Sequence, residues 1–380
     1  MRIGMKIPPP WGMKTGVEYY ALNLAENLIL IDKDNEYIFF ICFSIGSKMD
    51  SRPFLESRNS KKKIIRLPIN SLLCLSWAYF STPPIDWIIG EVDLFHAPYS
   101  IAPPLKKGNL IYTVHDLVNL KYPELHTIKS APVYLKRLSL SVQEAKRVIA
   151  VSENTKNDLM EFTKVPEEKI RVIPEAPRKE FRRIENAEMI KKIKGKYNLN
   201  QKYILSVCTL EPRKNLKNLI RSFSQLKDDM KKEYSLVIVG KKGWLYNEIF
   251  EEIKNLKLHD RVKIIGYVPE NHVPVLMNGA EVFVYPSLYE GFGLPPLEAM
   301  ACGIPVISSN SSSLPEVIGD AGILFNPYDT DELTEKLSCL LSSESLKKEM
   351  SIKGEQRARL FSWEKTAKET LKVYYEACND

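Results

Sequence analysis

The spacing of apolar residues divides the chain into two halves of the same kind. In the first half, short runs rich in Ile, Val, Phe and Tyr alternate with stretches of helical period. These runs predict strands at RIGMKI, YIFFICFS, KKIIRLP, DLFHAPYS, NLIYTVHD and RVIAVS. The segment 17–31, VEYYALNLAENLILI, has apolar positions at helical spacing and predicts the first helix. Such alternation is typical of a parallel sheet covered on both faces.

The same pattern begins again after a charged, proline-containing stretch at 174–200, which predicts a connector. The second half predicts strands at YILSVCTL, SLVIVG, RVKIIGYV, VFVYPS, PVISS and GILFNP. We therefore expect an α/β protein with two Rossmann-like, doubly wound domains, at 1–175 and 201–360, joined by a linker at 176–200. The tail predicts a final helix with Ser362 as its N-cap.

Composition narrows the class of protein. The 380 residues suit two domains, and we interpret the modest net charge of +7 as a solvated surface with no nucleic-acid partner. Six scattered cysteines form no C-x-x-C pair, which argues against a zinc site or a disulfide framework and for a reducing cytoplasm. The first seven residues lack a signal-peptide core, and no apolar run predicts a transmembrane helix.

The most informative stretch is 285–306, YPSLYEGFGLPPLEAMACGIPV. It predicts the end of a buried strand, a glycine loop and a helix N-terminus, a geometry that presents backbone N–H groups to an anion. Glu298 lies near the helix start, where capping alone explains an acid. Glu290 has no helical reason to be acidic, and a carboxylate there is suited to the diol of a ribose or hexose.

A second candidate is EPRKNLKNLI, at 211–220, which places Arg213 and Lys214 between a strand and a helix. Cations at a helix N-terminus oppose the helix dipole, at a cost of roughly 0.3–1 kcal/mol each. An anion held between them would reverse that cost, because each charge-assisted hydrogen bond contributes about 1.5–3 kcal/mol. We therefore expect a diphosphate here, with Asn215 as a candidate cap.

Three positions in the first half have both an ordinary and a functional interpretation. Thr15-Gly16 is a helix start or a place where backbone amides approach a phosphate or sugar. His115 follows a strand, where a neutral imidazole could donate to a sugar hydroxyl and Asp116 could fix its tautomer or be only a loop acid. Ser152 is explained by capping alone.

Taken together, the motifs resemble those of the retaining glycosyltransferases of family 4, which have the GT-B fold. The resemblance is specific across 203–327, through EPRKNL and YEGFGLPPLEAMACGIPVISSNSSSLPEVIGDAG. It is looser in the first half, through Thr15-Gly16, His115-Asp116 and VSENTKNDL. Within the family the chain is most similar to bacterial mannosyltransferases of O-antigen or exopolysaccharide synthesis.

The resemblance implies a role for each charged residue of the second half. Glu298 would hold the nucleotide ribose, and Glu290 would hold the donor-sugar hydroxyls. Arg213 and Lys214 would neutralise the diphosphate leaving group. These last three, with His115, are the expected catalytic residues.

The remaining implied contacts come from backbone and from the first half. The loop residues whose N–H groups would lie near the donor sugar or phosphate are Gly291, Phe292, Gly293 and Leu294. Gly16 would approach the donor phosphate, and His115 would contact the sugar. The family uses no metal and no separate cofactor, since cations and helix dipoles act at the leaving group.

The resemblance also implies a reaction and its partners. We expect retaining transfer of a hexose, with GDP-mannose as donor ahead of UDP-sugars, to a glycan or polyprenyl-linked saccharide. The N-terminal domain would bind the acceptor and the C-terminal domain the nucleotide sugar, and the helix at 361–380 would cross back to the N-terminal domain. The expected location is the cytoplasm, with peripheral contact at the inner face of the cell membrane.

The chain departs from the family pattern at two places. Cys208-Thr209 stands near the position of a Gly-Arg pair found in many relatives, which leaves Arg213 as the expected arginine on the diphosphate. The glycine pair of the first loop is reduced to Thr15-Gly16.

Other functions stay open at this point. A nucleotide-sugar epimerase would share the two-domain outline but needs acids placed for proton abstraction, and a non-catalytic nucleotide-sugar or glycan-binding protein would also look similar. A dinucleotide-dependent dehydrogenase is disfavoured because G-x-G-x-x-G is missing. The apolar segment 69–89, with two tryptophans, is either a surface that contacts a membrane or lipid-linked acceptor, or a helix packed on the first sheet.

Overall fold

The computed structural model describes residues 1–9, 14–44, 55–67, 70–125 and 131–380. The chain forms two compact units. The first comprises Met1–Glu175 together with Ser362–Asp380, and the second comprises Ala176–Phe361. The stretch 176–200, predicted as a linker, therefore lies in the second unit, where it contains a helix. Residues 10–13 of the predicted first loop, Pro68 of a predicted strand and Ile69 of the apolar segment lie outside the described residues.

Parallel strands form the centre of the first unit. They are β1 (Arg2–Lys6), β2 (Glu36–Ser44), β3 (Ser60–Leu67), β4 (Leu94–Ala97), β5 (Asn109–Val114), β6 (Arg147–Ala150) and β7 (Ile170–Val172). Their order in the sheet is β3-β2-β1-β4-β5-β6-β7, so the strand order reverses between β1 and β4. The helices before the second unit are α1 (Gly16–Ile31), α2 (Asn70–Tyr79), α3 (Ile85–Ile89), α4 (Val118–Lys121), α5 (Ala131–Glu144) and α6 (Glu153–Thr163).

The second unit repeats the plan with a smaller parallel sheet. Its strands are β8 (Lys202–Val207), β9 (Tyr234–Val239), β10 (Val262–Gly266), β11 (Val282–Tyr285), β12 (Val306–Ser309) and β13 (Ile323–Phe325). The order is β10-β9-β8-β11-β12-β13, with the reversal between β8 and β11. The helices are α7 (Ala187–Lys196), α8 (Leu216–Gln225), α9 (Asp228–Glu233), α10 (Asn247–Asn255), α11 (Val273–Asn278), α12 (Leu294–Ala301), α13 (Leu314–Ile318), α14 (Thr330–Ser342) and α15 (Glu344–Ala358).

The strands read as near-continuous apolar runs because helices cover both faces of each sheet. All six residues of β9 are buried. On one face of the second sheet, Leu219 and Phe223 of α8 and Leu337 of α14 pack with Ile204 of β8 in a single core cluster. The α/β fold with two doubly wound domains is thus confirmed, and every predicted strand is present. Of the strands in the described residues, the prediction omitted only β7, a three-residue strand that ends close to Pro174.

The last helix, α16 (Trp363–Asn379), belongs to the first unit. Ser362 caps it as predicted, by accepting a hydrogen bond from the Lys365 amide. Buried polar groups hold the helix on the sheet: Nδ1 of His96 lies 2.6 Å from the Tyr374 hydroxyl, and Nε2 lies 2.8 Å from Oγ1 of Thr113. Across the described ranges, we find no helix long and apolar enough to cross a membrane.

Candidate functional site

The second sheet has its predicted charged residues at the point where the strand order reverses. Arg213 and Lys214 follow β8 in a 3-10 turn, Pro212–Lys214, and Glu290 follows β11. β8 and β11 are neighbours in the sheet, so the segments that follow them meet at its carboxyl edge. Open α/β sheets bind ligands at this position.

Glu290 lies between the two cations. Its Oε1 accepts hydrogen bonds from Nζ of Lys214 at 2.5 Å and from the Ser287 hydroxyl at 2.5 Å. Its Oε2 accepts from Nη1 of Arg213 at 3.1 Å. Lys214 also donates to the Tyr285 hydroxyl at 2.8 Å, and Arg213 donates to Oε1 of Glu211. All three charged side chains are largely buried, so the contacts are poorly screened by solvent.

The electrostatics of this cluster favour an ionised Glu290. Burial alone would raise the pKa of the carboxyl, but the charges of Lys214 and Arg213, with hydrogen bonds from Lys214 and Ser287, lower the pKa of Glu290 to about 2. The sequence predicts a diphosphate between these cations and a separate role for Glu290. In the structure Glu290 is itself the anion that offsets their charge.

Serines at the end of β12 and directly after it hold the loop that carries Glu290. Each hydrogen bond joins a serine hydroxyl to a backbone group: Ser309 to Ser287 O, Ser311 to Leu288 O, Ser312 to Glu290 N, and Ser313 to Glu290 O and Phe292 O. β12 is adjacent to β11, so these hydroxyls lie beside the loop. This role was not predicted, although the run SSNSSS, which begins in the last two residues of a predicted strand, was its signal.

The glycine loop ends in helix α12, as predicted, with prolines in its first turn. Gly293 has φ +113°, and a Cβ there would lie 2.7 Å from Cδ2 of Leu314, so the position requires glycine. In the first turn Pro295 and Pro296 carry no N–H, and the Leu297 amide donates to the Gly293 carbonyl at 3.4 Å, which leaves the Leu294 N–H without a partner inside the helix. Phe292 is buried and packs edge-on against Phe361 at 5.8 Å.

Glu298 is buried near the middle of α12 and makes a two-pronged ion pair with Arg178. Its Oε1 accepts from Nε at 2.7 Å and its Oε2 from Nη2 at 3.3 Å. The Arg178 guanidinium also stacks on the Phe181 ring at 4.5 Å. Arg178 was not predicted as a site residue, because it lies in the stretch whose charge and prolines predict a connector. The capping explanation for Glu298 is wrong, because the partner of the carboxylate is this guanidinium.

In the first unit, His115 follows β5 and has an oxygen beside each ring nitrogen. Nδ1 lies 2.8 Å from Oε1 of Glu175, and Nε2 lies 2.8 Å from the carbonyl oxygen of Pro98. Burial alone lowers the pKa of His115, but the bond to Glu175, its charge and the Pro98 carbonyl outweigh burial and raise that pKa. The carboxylate on the ring is that of Glu175, so of the two roles left open for Asp116 the structure supports the loop acid, whose Oδ1 accepts from the Val118 amide at 3.3 Å.

The remaining predicted positions lie at helix starts, and not all of them cap the helix. Thr15 precedes α1, and Glu18 reaches back to accept from its amide at 2.7 Å, which is an ordinary helix start. A Cβ on Gly16 would meet no atom of the described residues within 4 Å. Ser152 caps α6, as predicted. Asn215 does not cap with its side chain, which donates instead to the Pro327 carbonyl.

We searched the described residues of both units for side chains that could bind a metal ion. Over the part of the chain that the structure describes, no group of three or more His, Cys, Asp or Glu side chains is placed to hold a metal ion.

Comparison with known proteins assigns the family. Residues 14–176 match the family described as Glycosyltransferase Family 4, and residues 189–357 match Glycosyl transferases group 1. The chain is 29% identical to O-antigen chain mannosyltransferase B of Escherichia coli over 369 residues, covering 95% of this chain and 96% of the relative. It is 34% identical to O-antigen chain mannosyltransferase RfbU of Salmonella typhimurium over 286 residues, covering 75% of this chain and 74% of the relative.

Comparison with solved structures gives the same fold class. Sucrose-phosphate synthase from Thermosynechococcus elongatus superposes with a TM-score of 0.79 at 22% identity, covering 99% of this chain and 98% of the other. The relatives agree with the two parallel Rossmann-like sheets and with the charged residues at the strand reversal of the second sheet. The chain therefore belongs to glycosyltransferase family 4, with the GT-B fold.

Proposed function

We propose that the chain transfers mannose from GDP-mannose to a hydroxyl of a glycan or polyprenyl-linked saccharide, with retention of the anomeric configuration. The observation that carries the proposal is the buried cluster of Arg213, Lys214 and Glu290 at the strand reversal of the second sheet. The choice of mannose rests on the similarity to O-antigen chain mannosyltransferases.

Donor binding exchanges partners within this cluster. The diphosphate takes hydrogen bonds from Lys214 and Arg213 that Glu290 accepts in the free protein. Each new charge-assisted bond is worth about 1.5–3 kcal/mol. Glu290 is then released to accept from hydroxyls of the sugar. The N-terminus of α12, with the Leu294 N–H, adds positive potential beside the phosphate.

The ribose contact follows the same logic. Glu298 is paired with Arg178 in the free protein, so the ribose hydroxyls compete with that guanidinium for the carboxylate oxygens. Donor affinity therefore reflects the difference between the hydroxyl contacts and the ion pair that they loosen. His115 and Gly16 belong to the first unit, and their contacts with the donor remain predictions from the family resemblance.

The chemical step is a front-face substitution. The bond between the anomeric carbon and the diphosphate oxygen breaks, and its electron pair goes to that oxygen. The acceptor oxygen bonds to the anomeric carbon from the same face and passes its proton to the departing phosphate oxygen. Arg213 and Lys214 stabilise the charge that develops on the diphosphate, which is the task a metal performs in other transferases. We propose that the reaction needs no metal or other cofactor.

Turnover with nucleotide sugars tests the assignment. GDP-mannose and UDP-sugars are each incubated with the protein and a lipid-linked or glycan acceptor, and nucleoside diphosphate release is measured with and without EDTA. Proton NMR of the product gives its anomeric configuration. Turnover with one donor, unchanged by EDTA and with the donor's configuration, is expected. Near-normal turnover in both Lys214→Ala and Glu298→Ala would remove the site assignment.

Two alternatives predict different products. An epimerase would convert the free nucleotide sugar or its sugar into an isomer without an acceptor. A non-catalytic binding protein would release no nucleoside diphosphate from any donor, with or without acceptor. The buried Glu290 between two cations favours a transferase, because a carboxyl with a pKa lowered to about 2 is a poor proton carrier near neutral pH.

We also propose that the first unit contacts an anionic membrane surface through the segment predicted at 69–89. Helix α2 buries Trp77 and Ala78 in the first core, so the packing interpretation holds for one face. The opposite side is exposed and apolar. Five large residues of this segment, which we name the apolar patch, are between 40% and 76% exposed: Leu72, Leu75, Tyr79, Phe80 and Trp87.

Lysines lie on the aromatic rings of the apolar patch. Nζ of Lys136 is 4.5 Å from the centre of the Tyr79 ring, and Nζ of Lys106 is 5.3 Å from the centre of a Trp87 ring. Aromatic rings beside cations suit the boundary between acyl chains and anionic headgroups. We therefore propose that the apolar patch contacts a lipid bilayer rather than another protein.

Vesicle sedimentation tests this contact. The Phe80→Ser, Trp87→Ser double variant should lose binding to vesicles that contain anionic lipid. The matched control is Tyr328→Ser, since Tyr328 is 75% exposed in the second unit. Full recovery of the wild type in the soluble fraction with such vesicles would exclude the membrane contact.

A further inference from the structure

We propose that Glu175 is a positioning residue that holds His115 in its cationic form and so fixes the role of that ring in the transfer. The inference deepens the proposed function and rests on it where it concerns catalysis. Its structural part, the charge on His115, stands on the geometry of the first unit alone.

The two neighbours of the ring both offer oxygens. The carbonyl of Pro98 can only accept a hydrogen bond, and it lies 2.8 Å from Nε2. The Glu175 carboxyl lies 2.8 Å from Nδ1 and, when ionised, also only accepts. A neutral imidazole carries one N–H, whereas the imidazolium carries two. With Glu175 ionised, both contacts are therefore hydrogen bonds at once only when His115 is a cation.

The His115–Glu175 pair is largely buried, so few other charged groups of the described residues lie near the ring. The Glu175 side chain is 5% exposed and that of His115 is 12% exposed. The other titratable groups around the ring are Asp116 beside it in sequence, His96 on β4 and Tyr20 on α1, whose ring meets His115 edge-on at 4.7 Å. The pKa of His96 is lowered to about 3 by burial, with a smaller effect from His115, so that neighbour is neutral. Glu175 is the acid bonded to the ring.

The backbone on both sides of this pair is held as well. The Thr366 hydroxyl of α16 donates to the carbonyl of Pro174, directly before Glu175. On the other side, the Thr155 hydroxyl of α6 donates to the carbonyl of His115. Both partners are thus anchored to neighbouring helices, and the carboxylate is fixed at the ring.

A cationic His115 has a defined chemical consequence. An imidazolium has no lone pair with which to accept a proton, so His115 cannot be the base that takes the acceptor's proton. It can supply positive charge where negative charge develops, while its two N–H groups stay bonded to Glu175 and Pro98. This division agrees with a transfer in which the acceptor's proton goes to the departing phosphate oxygen.

NMR tests the charge directly. The wild type is labelled with ¹⁵N-histidine, and the His115 signals are assigned by their absence from His115→Gln. We expect both ring nitrogens of His115 to have imidazolium shifts near neutral pH. In Glu175→Gln, which can still accept a hydrogen bond, the transition to neutral imidazole should move to lower pH. The matched control is Glu167→Gln, an exposed ion-pair acid of the same unit, which should leave the transition unchanged.

The pH dependence of turnover tests the consequence. Relative to wild type, Glu175→Gln should lower kcat about tenfold or more at a pH between the His115 transitions of the variant and the wild type, with KM within about twofold. The deficit should close as pH falls, since protons in solution then restore the cation. A merely structural role would lower turnover by the same factor at every pH.

Each failure has a separate meaning. Neutral shifts for His115 in the wild type, or an unmoved transition in Glu175→Gln, would overturn the proposal. A ratio of turnovers that does not change with pH would overturn the positioning role. Absence of turnover with every nucleotide sugar, together with the expected NMR result, would contradict the proposed function and leave the charged pair in place.

Discussion

Nζ of Lys214 lies 2.5 Å from Oε1 of Glu290, in a buried contact between two residues that the sequence assigned to different parts of a donor. The contact shows that the chain's own carboxylate offsets the charge of the two cations that precede helix α8. It also means that a diphosphate and Glu290 compete for the same hydrogen bonds. Donor binding is then an exchange of anions on a preformed pair of cations.

The competition predicts opposite effects on two ligands when Glu290 loses its charge. Glu290→Gln should bind a nucleoside diphosphate no more weakly than wild type, because an anion that competes for Lys214 and Arg213 is gone. Turnover of the nucleotide sugar should fall about 10- to 100-fold, since a charge-assisted contact with the sugar is lost. Calorimetry with the nucleoside diphosphate and a turnover assay measure the two effects. Loss of diphosphate affinity equal to the loss of turnover would contradict the exchange.

Glu298 should behave differently, because its proposed ligand is the ribose. Glu298→Ala should weaken the nucleoside diphosphate and the nucleotide sugar by the same factor, about tenfold or more. The control is Glu248→Gln, whose carboxylate pairs with Lys217 at the surface of the same unit. Circular dichroism verifies that the variant folds. An effect confined to the nucleotide sugar would move Glu298 from the ribose to the sugar.

The glycine loop offers a test of stability with an internal control. Gly293→Ala puts a methyl group 2.7 Å from a side-chain carbon of Leu314 at φ +113°, and it should cost about 1–3 kcal/mol of the free energy of unfolding. Gly195→Ala, in helix α7 with nothing described within 4 Å of the new methyl, should be neutral or stabilising by up to about 1 kcal/mol. Urea unfolding compares them. Equal effects would show that the loop conformation is not constrained.

The lowered pKa of Glu290 predicts how its contribution to stability depends on pH. An acid with a lowered pKa in the folded state stabilises fully above its ordinary value, about 4.5, and loses that stabilisation as pH falls through about 2. The difference in free energy of unfolding between wild type and Glu290→Gln should be constant above about pH 5 and shrink below it. Urea titrations at stepped pH measure this difference. A difference that grows toward acid pH would contradict the paired state.

The fold was predictable because its signal is local. Apolar runs separated by helical periods identify parallel strands without knowledge of any partner, as in β9, where every residue is buried. The short strand β7 was missed because three residues beside a proline-containing stretch give little periodicity. The stretch 176–200 was predicted as a connector because its charge and proline content resemble those of a linker. In the structure it contains helix α7 and Arg178.

The site was predictable only in part. Arg213, Lys214 and Glu290 were identified because each follows a strand, and strand ends meet at the carboxyl edge of a sheet. Their mutual pairing was not, since no sequence pattern gives a distance between residues 76 positions apart. The partners Glu175 and Arg178 were missed for the same reason, although each contacts a residue that had been singled out.

The central claim is that a nucleotide sugar binds at Lys214 and its neighbours in the second unit. Isothermal titration calorimetry with GDP-mannose and UDP-sugars measures it most directly, in wild type, Lys214→Ala and Lys217→Ala. Lys217 stands three residues along the chain from Lys214 and pairs with Glu248 at the surface, so it is the matched control. The account predicts binding of at least one donor, weakened about tenfold or more in Lys214→Ala and unchanged in Lys217→Ala. Binding of no nucleotide sugar by the wild type, or equal binding by all three proteins, would contradict it.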